Sequence, residues 1–254
     1  MSSLAVTWGI AQRSLMLIPR YPSTFIPSLV MPVFFVVAFA GAFAGLSNLP
    51  GFPADEMIDW VLPMSTLQGC AFAGITTGIA IARDFENGFF DRFILSPAPR
   101  GAILAGPLLA SVLRALMPLV LLSIVGLFSG VHFKAGLLTM IPLAIAGLGI
   151  ALIAGEWAVG LALRARSQQA APLMQMALFL AFFLSTAQLP LHLLTGWVHA
   201  IARFNPMTNV LELARQGFLG DITWASTWPG LVSLGGMALF LGIFAYRGIQ
   251  RVVP

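Results

Sequence analysis

Charge is scarce in this chain. Only 9% of its 254 residues are Asp, Glu, Lys or Arg, where a soluble domain carries about 25%. Hydrophobic residues make up 59%, and the mean hydropathy is +0.93. A chain this short cannot fold so much apolar surface into one water-facing domain. A soluble globular enzyme is therefore excluded, and lipid is the expected solvent. Lysine is nearly absent. The phosphate-binding loop needs a lysine preceded by glycine and followed by Ser or Thr. Lys134 stands between Phe133 and Ala135, so no such loop is present. The single cysteine, Cys70, excludes an internal disulfide and a multi-cysteine metal site. His132, His192 and His199 are too spread for a metal site, and neither HExxH nor GxSxG occurs. Carboxylates are equally sparse. Glu156 alone lies well inside an apolar run, whereas a proton-driven carrier usually shows several. Most of the arginines fall in short gaps between apolar runs. They do not form the polar stripe of a nucleic-acid binder.

What is abundant is length of apolar sequence. Six runs occupy 25–46, 60–82, 103–128, 137–163, 171–191 and 228–246. Each is near or above the ~20 residues a helix needs to cross the hydrocarbon core. They do not alternate as barrel strands would, and a lone helix satisfies its own backbone in lipid. The expected fold is an all-α polytopic membrane protein, one transmembrane domain over 1–254. Residues 1–22 lack the pattern of a cleavable signal peptide. Within them, Leu4, Trp8, Leu15 and Ile18 suit a helix lying on the membrane surface; an irregular lead-in is the alternative. Six crossings put both termini on one side. Arg13, Arg20, Arg83, Arg92, Arg100, Arg164, Arg166, Arg247 and Arg251 fall on that side, against Lys134, Arg203 and Arg215 on the other. Positive residues favour the cytoplasm, so both termini are expected there.

Three features are more than plain spans. The loop 83–100 reads RDFENGFFDRFILSPAPR. Phe85, Phe89 and Phe93 are spaced for one helical face, with Phe90 beside them and Asp84, Glu86, Asp91 and Arg92 on the polar side. Such a face needs a partner, either the bilayer surface or a groove in another protein. The segment 192–227 contains Asn205-Pro206, a helix-start signal, and then Val210, Leu211, Ala214 and Phe218 at helical spacing. Glu212 and Arg215 are placed to pair opposite them. Two short helices dipping into the outer leaflet fit, and so does an extracellular hairpin. Finally, Arg114 and Glu156 are intramembrane charges at similar expected depth, placed for an ion pair that locks two helices or serves function.

These features together resemble the permeases of ABC exporters of type 2, in the drug-resistance and lipid-export branch. The resemblance rests on the six-run layout after a surface helix, on RDFENGFFDRFILSPAPRGAILAGPLL at 83–109, and on NPMTNVLELARQGFLG at 205–220. It implies a coupling helix within 84–94, between spans two and three, seated in a separate ATPase subunit. The coupling residues would be Asp84, Phe85, Glu86, Phe89, Phe90, Asp91, Arg92 and Phe93. It also implies re-entrant outer helices between spans five and six, carrying Asn205, Pro206, Glu212, Arg215 and Gly220. Two ATPases and two permeases, identical or sister chains, would surround a path for a drug or lipid-like substrate across the bacterial cytoplasmic membrane. ATP and Mg would be bound by the ATPase, with no catalytic, cofactor or metal site in this chain, lipid around it, and no nucleic acid. An ATP-independent channel or secondary carrier, and a membrane anchor or assembly factor, are the competing classes.

Overall fold

The computed structural model describes residues 3–16, 22–90 and 99–252. Their regular structure is helical. The α-helices are α1 (Ser3–Met16), α2 (Pro22–Ala42), α3 (Met57–Glu86), α4 (Arg100–Phe128), α5 (Met140–Ala165), α6 (Ala171–Phe183), α7 (Gly196–Phe204), α8 (Pro206–Leu219) and α9 (Trp224–Val252). Short 3₁₀ turns join several of them, and no strand occurs among the described residues. Four of these helices, α3, α4, α5 and α9, are long and apolar enough to cross a bilayer.

α3 is the axis of the bundle, because small residues on its surface let neighbours approach. Gly74 and Gly78 lie directly against the backbone of α5 at Ala151, Gly155 and Ala158. Any Cβ there would overlap main chain, the logic of small-residue helix contacts in lipid. Gly69 faces Pro118 of α4 and Pro32 of α2. The spacing at Gly41 and Gly45 is different, for both face open space. α9 packs on α5 and α8, and α1 lies along α4, where Ile10 fits over Gly106.

α1 has one face against the bundle and one turned outward. Ile10, Ala11 and Ser14 are buried against the bundle, while Leu4, Trp8 and Met16 are exposed. The fifth apolar run differs from expectation. It reads as one span over 171–191, yet its helix ends at Phe183. Thirteen residues rise about 20 Å, short of the ~30 Å core. Farther on, Pro190 has no N–H for the carbonyl of Thr186, so a helix continued that far would lose that bond.

Candidate functional site

At the arginine-rich end, the last turn of α3 is held from two sides. Toward α1, the Arg13 guanidinium donates to both carboxylate oxygens of Asp84 at 2.9 Å. The same guanidinium lies 4.1 Å over the Phe89 ring. Toward the α5–α6 link, Glu86 accepts from Ser167 Oγ at 2.9 Å, from the Gln168 backbone N–H at 2.8 Å and from the Gln168 side chain. Arg166, left-handed with φ 51°, places its guanidinium 5.8 Å over Phe85. The turn after α3 is thus tied to both the first helix and the middle of the chain.

The phenylalanine face differs from expectation. α3 stops at Glu86, and Asn87 and Gly88 turn the chain, with φ +66° at Gly88. That is a conformation glycine adopts without strain. Phe85 therefore ends one helical stretch and Phe89 opens the next. Phe85 packs on Phe90 with ring centroids 4.1 Å apart. Phe90 is only 5% exposed and Phe89 is 38% exposed. Of this set Phe89 faces outward, and Phe90 belongs to the core. Asp91, Arg92 and Phe93 lie outside the described residues.

The structure does not bring Arg114 and Glu156 together. Arg114, 5% exposed on α4, points toward α1 and α3. It donates to the Ser14 carbonyl at 2.6 Å, to Thr77 Oγ at 3.2 Å and to Thr76 Oγ at 3.4 Å. Glu156, 7% exposed, faces Gly242 of α9. The helical turn explains the split. Gly155 is the residue of α5 that meets α4, at Ser111, and its successor is rotated about 100° away.

At the opposite end, α7 and α8 form a hairpin hinged at Asn205. Asn205 Oδ1 accepts from the Met207 N–H at 2.9 Å, an N-cap, and Pro206 follows at the first helical position. The Asn205 amide nitrogen donates to the carbonyls of Ala181 and Leu184, at 2.7 and 2.8 Å. Arg215 is fully buried. It donates to the carbonyls of Thr186 and Ala187, each at 2.7 Å, and to that of Trp60 at 3.1 Å. Its guanidinium lies 3.7 Å from the centroid of the Trp60 ring. The carbonyls released where α6 breaks are therefore taken up by Asn205 and Arg215. Glu212 is exposed on the far side of α8 and forms no ion pair with Arg215 among the described ion pairs. The expected pairing is replaced by backbone ligation, because Arg215 turns into the bundle. Gly220, at φ +79°, closes α8.

A protein-family model described as "ABC-2 type transporter" matches residues 5–219, which takes in both ends just described. The chain belongs to the ABC-2 type transporter family. Among known relatives of this ABC-2 chain, the daunorubicin resistance ABC transporter permease protein DrrB1 of Streptomyces coeruleorubidus is 28% identical, over 90% of this chain and 80% of its own length. The probable doxorubicin resistance ABC transporter permease protein DrrC of Mycobacterium tuberculosis is 26% identical, over 90% and 82%. The putative transport permease ycf38 of Porphyra purpurea is 24% identical, over 96% and 87%.

Sequence reasoning missed several residues of the ABC-2 chain's two ends. Arg13 counted only toward orientation, and Ser167 and Gln168 carried no signal at all. Asp59 is almost fully buried and accepts from the His132 backbone N–H at 2.9 Å, with the ring Nδ1 at 3.3 Å from its other oxygen. Gly217 abuts the backbone of Thr139, whose hydroxyl donates to the Gly217 carbonyl at 3.1 Å. Asp55 pairs with Lys134 at 2.8 Å. That hydrogen bond and charge hold its carboxyl below the usual carboxylate range.

Proposed function

We propose that this chain is the permease subunit of an ATP-driven ABC exporter, moving a hydrophobic or amphipathic drug or lipid-like substrate out across a bacterial cytoplasmic membrane. A separate ATPase subunit binds ATP and Mg and supplies the energy. The resistance named for DrrB1 and DrrC supports the substrate class. Six crossings, formed by α2, α3, α4, α5, α9 and the apolar run 171–191 that contains α6, put both termini in the cytoplasm. This agrees with the arginine bias. Two such permeases, identical or sister chains, pair with two ATPases. No catalysis falls to this chain.

The observation that carries the reading is the joint at the end of α3. Transmission needs a physical contact with two arrangements. Here Asp84, Phe85, Glu86 and Phe89 sit where α1 and the α5–α6 link converge on the end of α3. Closure of an ATPase dimer against this turn would move α1 and α3 together. At the other end, α7 and α8 lie in the outer leaflet, and Asn205 and Arg215 anchor them to the broken α6. They form a hinged cover over the exit.

The test is co-purification of the chain with the ATPase encoded beside it, followed by mass determination and an ATPase assay in lipid. A complex of two ATPases and two permeases is expected, with hydrolysis stimulated by the permease and reduced by Asp84→Asn. If no ATPase binds while substrate still moves, an ATP-independent carrier replaces this reading. If nothing moves and a soluble partner alone binds, the chain is an anchor.

A further inference from the structure

Among the described residues the buried guanidinium of Arg114 has no counter-charge. Its partners there are a carbonyl and two threonine hydroxyls, all neutral. Its Nε–H is buried with no hydrogen-bond partner. A buried unpaired charge is costly, and charges inside membranes are by default functional. Arg114 also lines a mostly enclosed cavity of ≈ 30 Å³ between α1, α3 and α4. Ser14, Thr77, Arg13 and Asp84 line it with Arg114. Among the described lining residues Asp84 is the only carboxylate, and both its oxygens are taken by Arg13. The charges of those residues therefore sum to one positive.

We propose that this cavity is a site for one monatomic anion of the chloride class. Three groups supply donors. Arg114 offers its orphaned Nε–H. Thr77 uses its oxygen to accept from Arg114 and keeps its proton to donate. Ser14 lines the wall with its own hydroxyl. The Arg13–Asp84 pair, with the Arg13 side chain partly exposed, lies across the approach from the membrane surface. Space selects the ion. About 10–15 Å³ admits one water, so the cavity admits one chloride-sized ion. A lipid phosphodiester, with four oxygens and two ester chains, exceeds it. The occupied site would tie α1 to α3 and α4 through one shared charge, at the same joint that holds the α3 turn.

The experiment uses the full chain in nanodiscs of uncharged zwitterionic lipid. Thermal unfolding is followed while chloride replaces gluconate at constant ionic strength. A saturable rise in melting temperature is expected, because a ligand that binds only the folded state stabilises it in proportion to the logarithm of its concentration above Kd. Arg114→Gln should abolish the chloride response, and Arg166→Gln, an exposed arginine, should keep it. Should Arg114→Gln fail to fold, Thr77→Val decides. It keeps the side-chain shape and removes one donor, so the chloride midpoint should rise roughly tenfold. Bromide substituted for chloride should give one anomalous peak beside Arg114 Nε. Equal melting in chloride and gluconate would overturn the proposal. So would an unchanged midpoint in Thr77→Val, or a phospholipid retained at the site in place of the halide.

Discussion

Arg215→Met removes one guanidinium and leaves the carbonyls of Trp60, Thr186 and Ala187 without their donor. Each hydrogen bond from a charged donor contributes ~1.5–3 kcal/mol net, and a desolvated stack on Trp adds about 2 kcal/mol. The terms share one side chain and do not add, since the freed carbonyls relax toward other donors. Removing one partner from a buried charged cluster costs roughly 3–5 kcal/mol, and that is the loss expected here. Arg215→Lys keeps the charge but not the planar fork, so it reaches fewer carbonyls. It should lose about half as much. The assay is unfolding in lipid nanodiscs read by tryptophan fluorescence, since Trp60 reports the site directly. The broken helix offers a second arm. Pro190→Ala restores an N–H within reach of the Thr186 carbonyl if α6 extends by about two turns. The double variant should then recover about 1 kcal/mol relative to Arg215→Met alone. A change below about 0.5 kcal/mol in Arg215→Met, or a lysine variant less stable than the methionine one, would refute the account of Arg215 as the cap of α6.

Gly217→Ala puts a Cβ into the Thr139 backbone, and neither main chain can give way cheaply. A destabilisation of about 1–3 kcal/mol is expected, measured in the same unfolding assay, and wild-type stability would mean that α8 does not press on Thr139. Exchanging the charges in Arg13→Asp with Asp84→Arg should restore ATPase stimulation lost in either single change. The pair is partly exposed, so stability itself should move by no more than ~1 kcal/mol; a double variant no better than the singles would remove the ion pair from the coupling route. Asp55, held below its ordinary pKa by Lys134, contributes stability that is complete above its unfolded value of about 3.9 and fades as pH falls through the lower folded value. The melting difference between Asp55→Asn and parent should therefore stay constant from pH 8 to 5 and shrink only below about pH 4. A difference that changes within the neutral range would assign the effect to another group.

Much of the architecture was legible because lipid enforces long apolar helices, and their runs stand out in any sequence this poor in charge. The bounds of α3, α4, α5 and α9 lie close to the apolar runs. The buried face of α8 follows the spacing of Val210, Leu211, Ala214 and Phe218, all fully buried. Three things were not legible, each for a physical reason. The phenylalanine spacing at 85, 89 and 93 assumes an unbroken helix, and the Asn87-Gly88 turn dipeptide inside it was the contrary signal. The partners of Arg114 come partly from α1, a hundred residues away, so neighbouring spans gave the wrong carboxylate. The end of α6 is passed over when the run is counted through to Leu191, although Ser185, Thr186, Gln188 and Pro190 interrupt it.

That last case shows where the sequence held the two halves of a contact without their relation. A charge inside a membrane must be met by an opposite charge or by groups with unsatisfied lone pairs. Helices in lipid do not release their carbonyls unless something else receives them. Pro190 releases one by lacking an N–H, and Asn205 and Arg215 bring donors that go to carbonyls and not to a carboxylate. Read separately, the proline is a helix breaker and the arginine a costly charge. In the fold each resolves the other's deficit. The donors sit on α8 and its N-cap while the acceptors sit at the end of α6, so the contact binds the outer hairpin to the one apolar helix too short to cross. The hydrogen bonds to backbone at this end can exchange one carbonyl for the next, while the buried face of α8, with Phe218 against Phe133, stays packed. Opening of the cover should therefore leave α8 intact and appear as hydrogen exchange at residues 184–190 ahead of residues 207–218, with the order reversed if the hairpin itself unfolds to open.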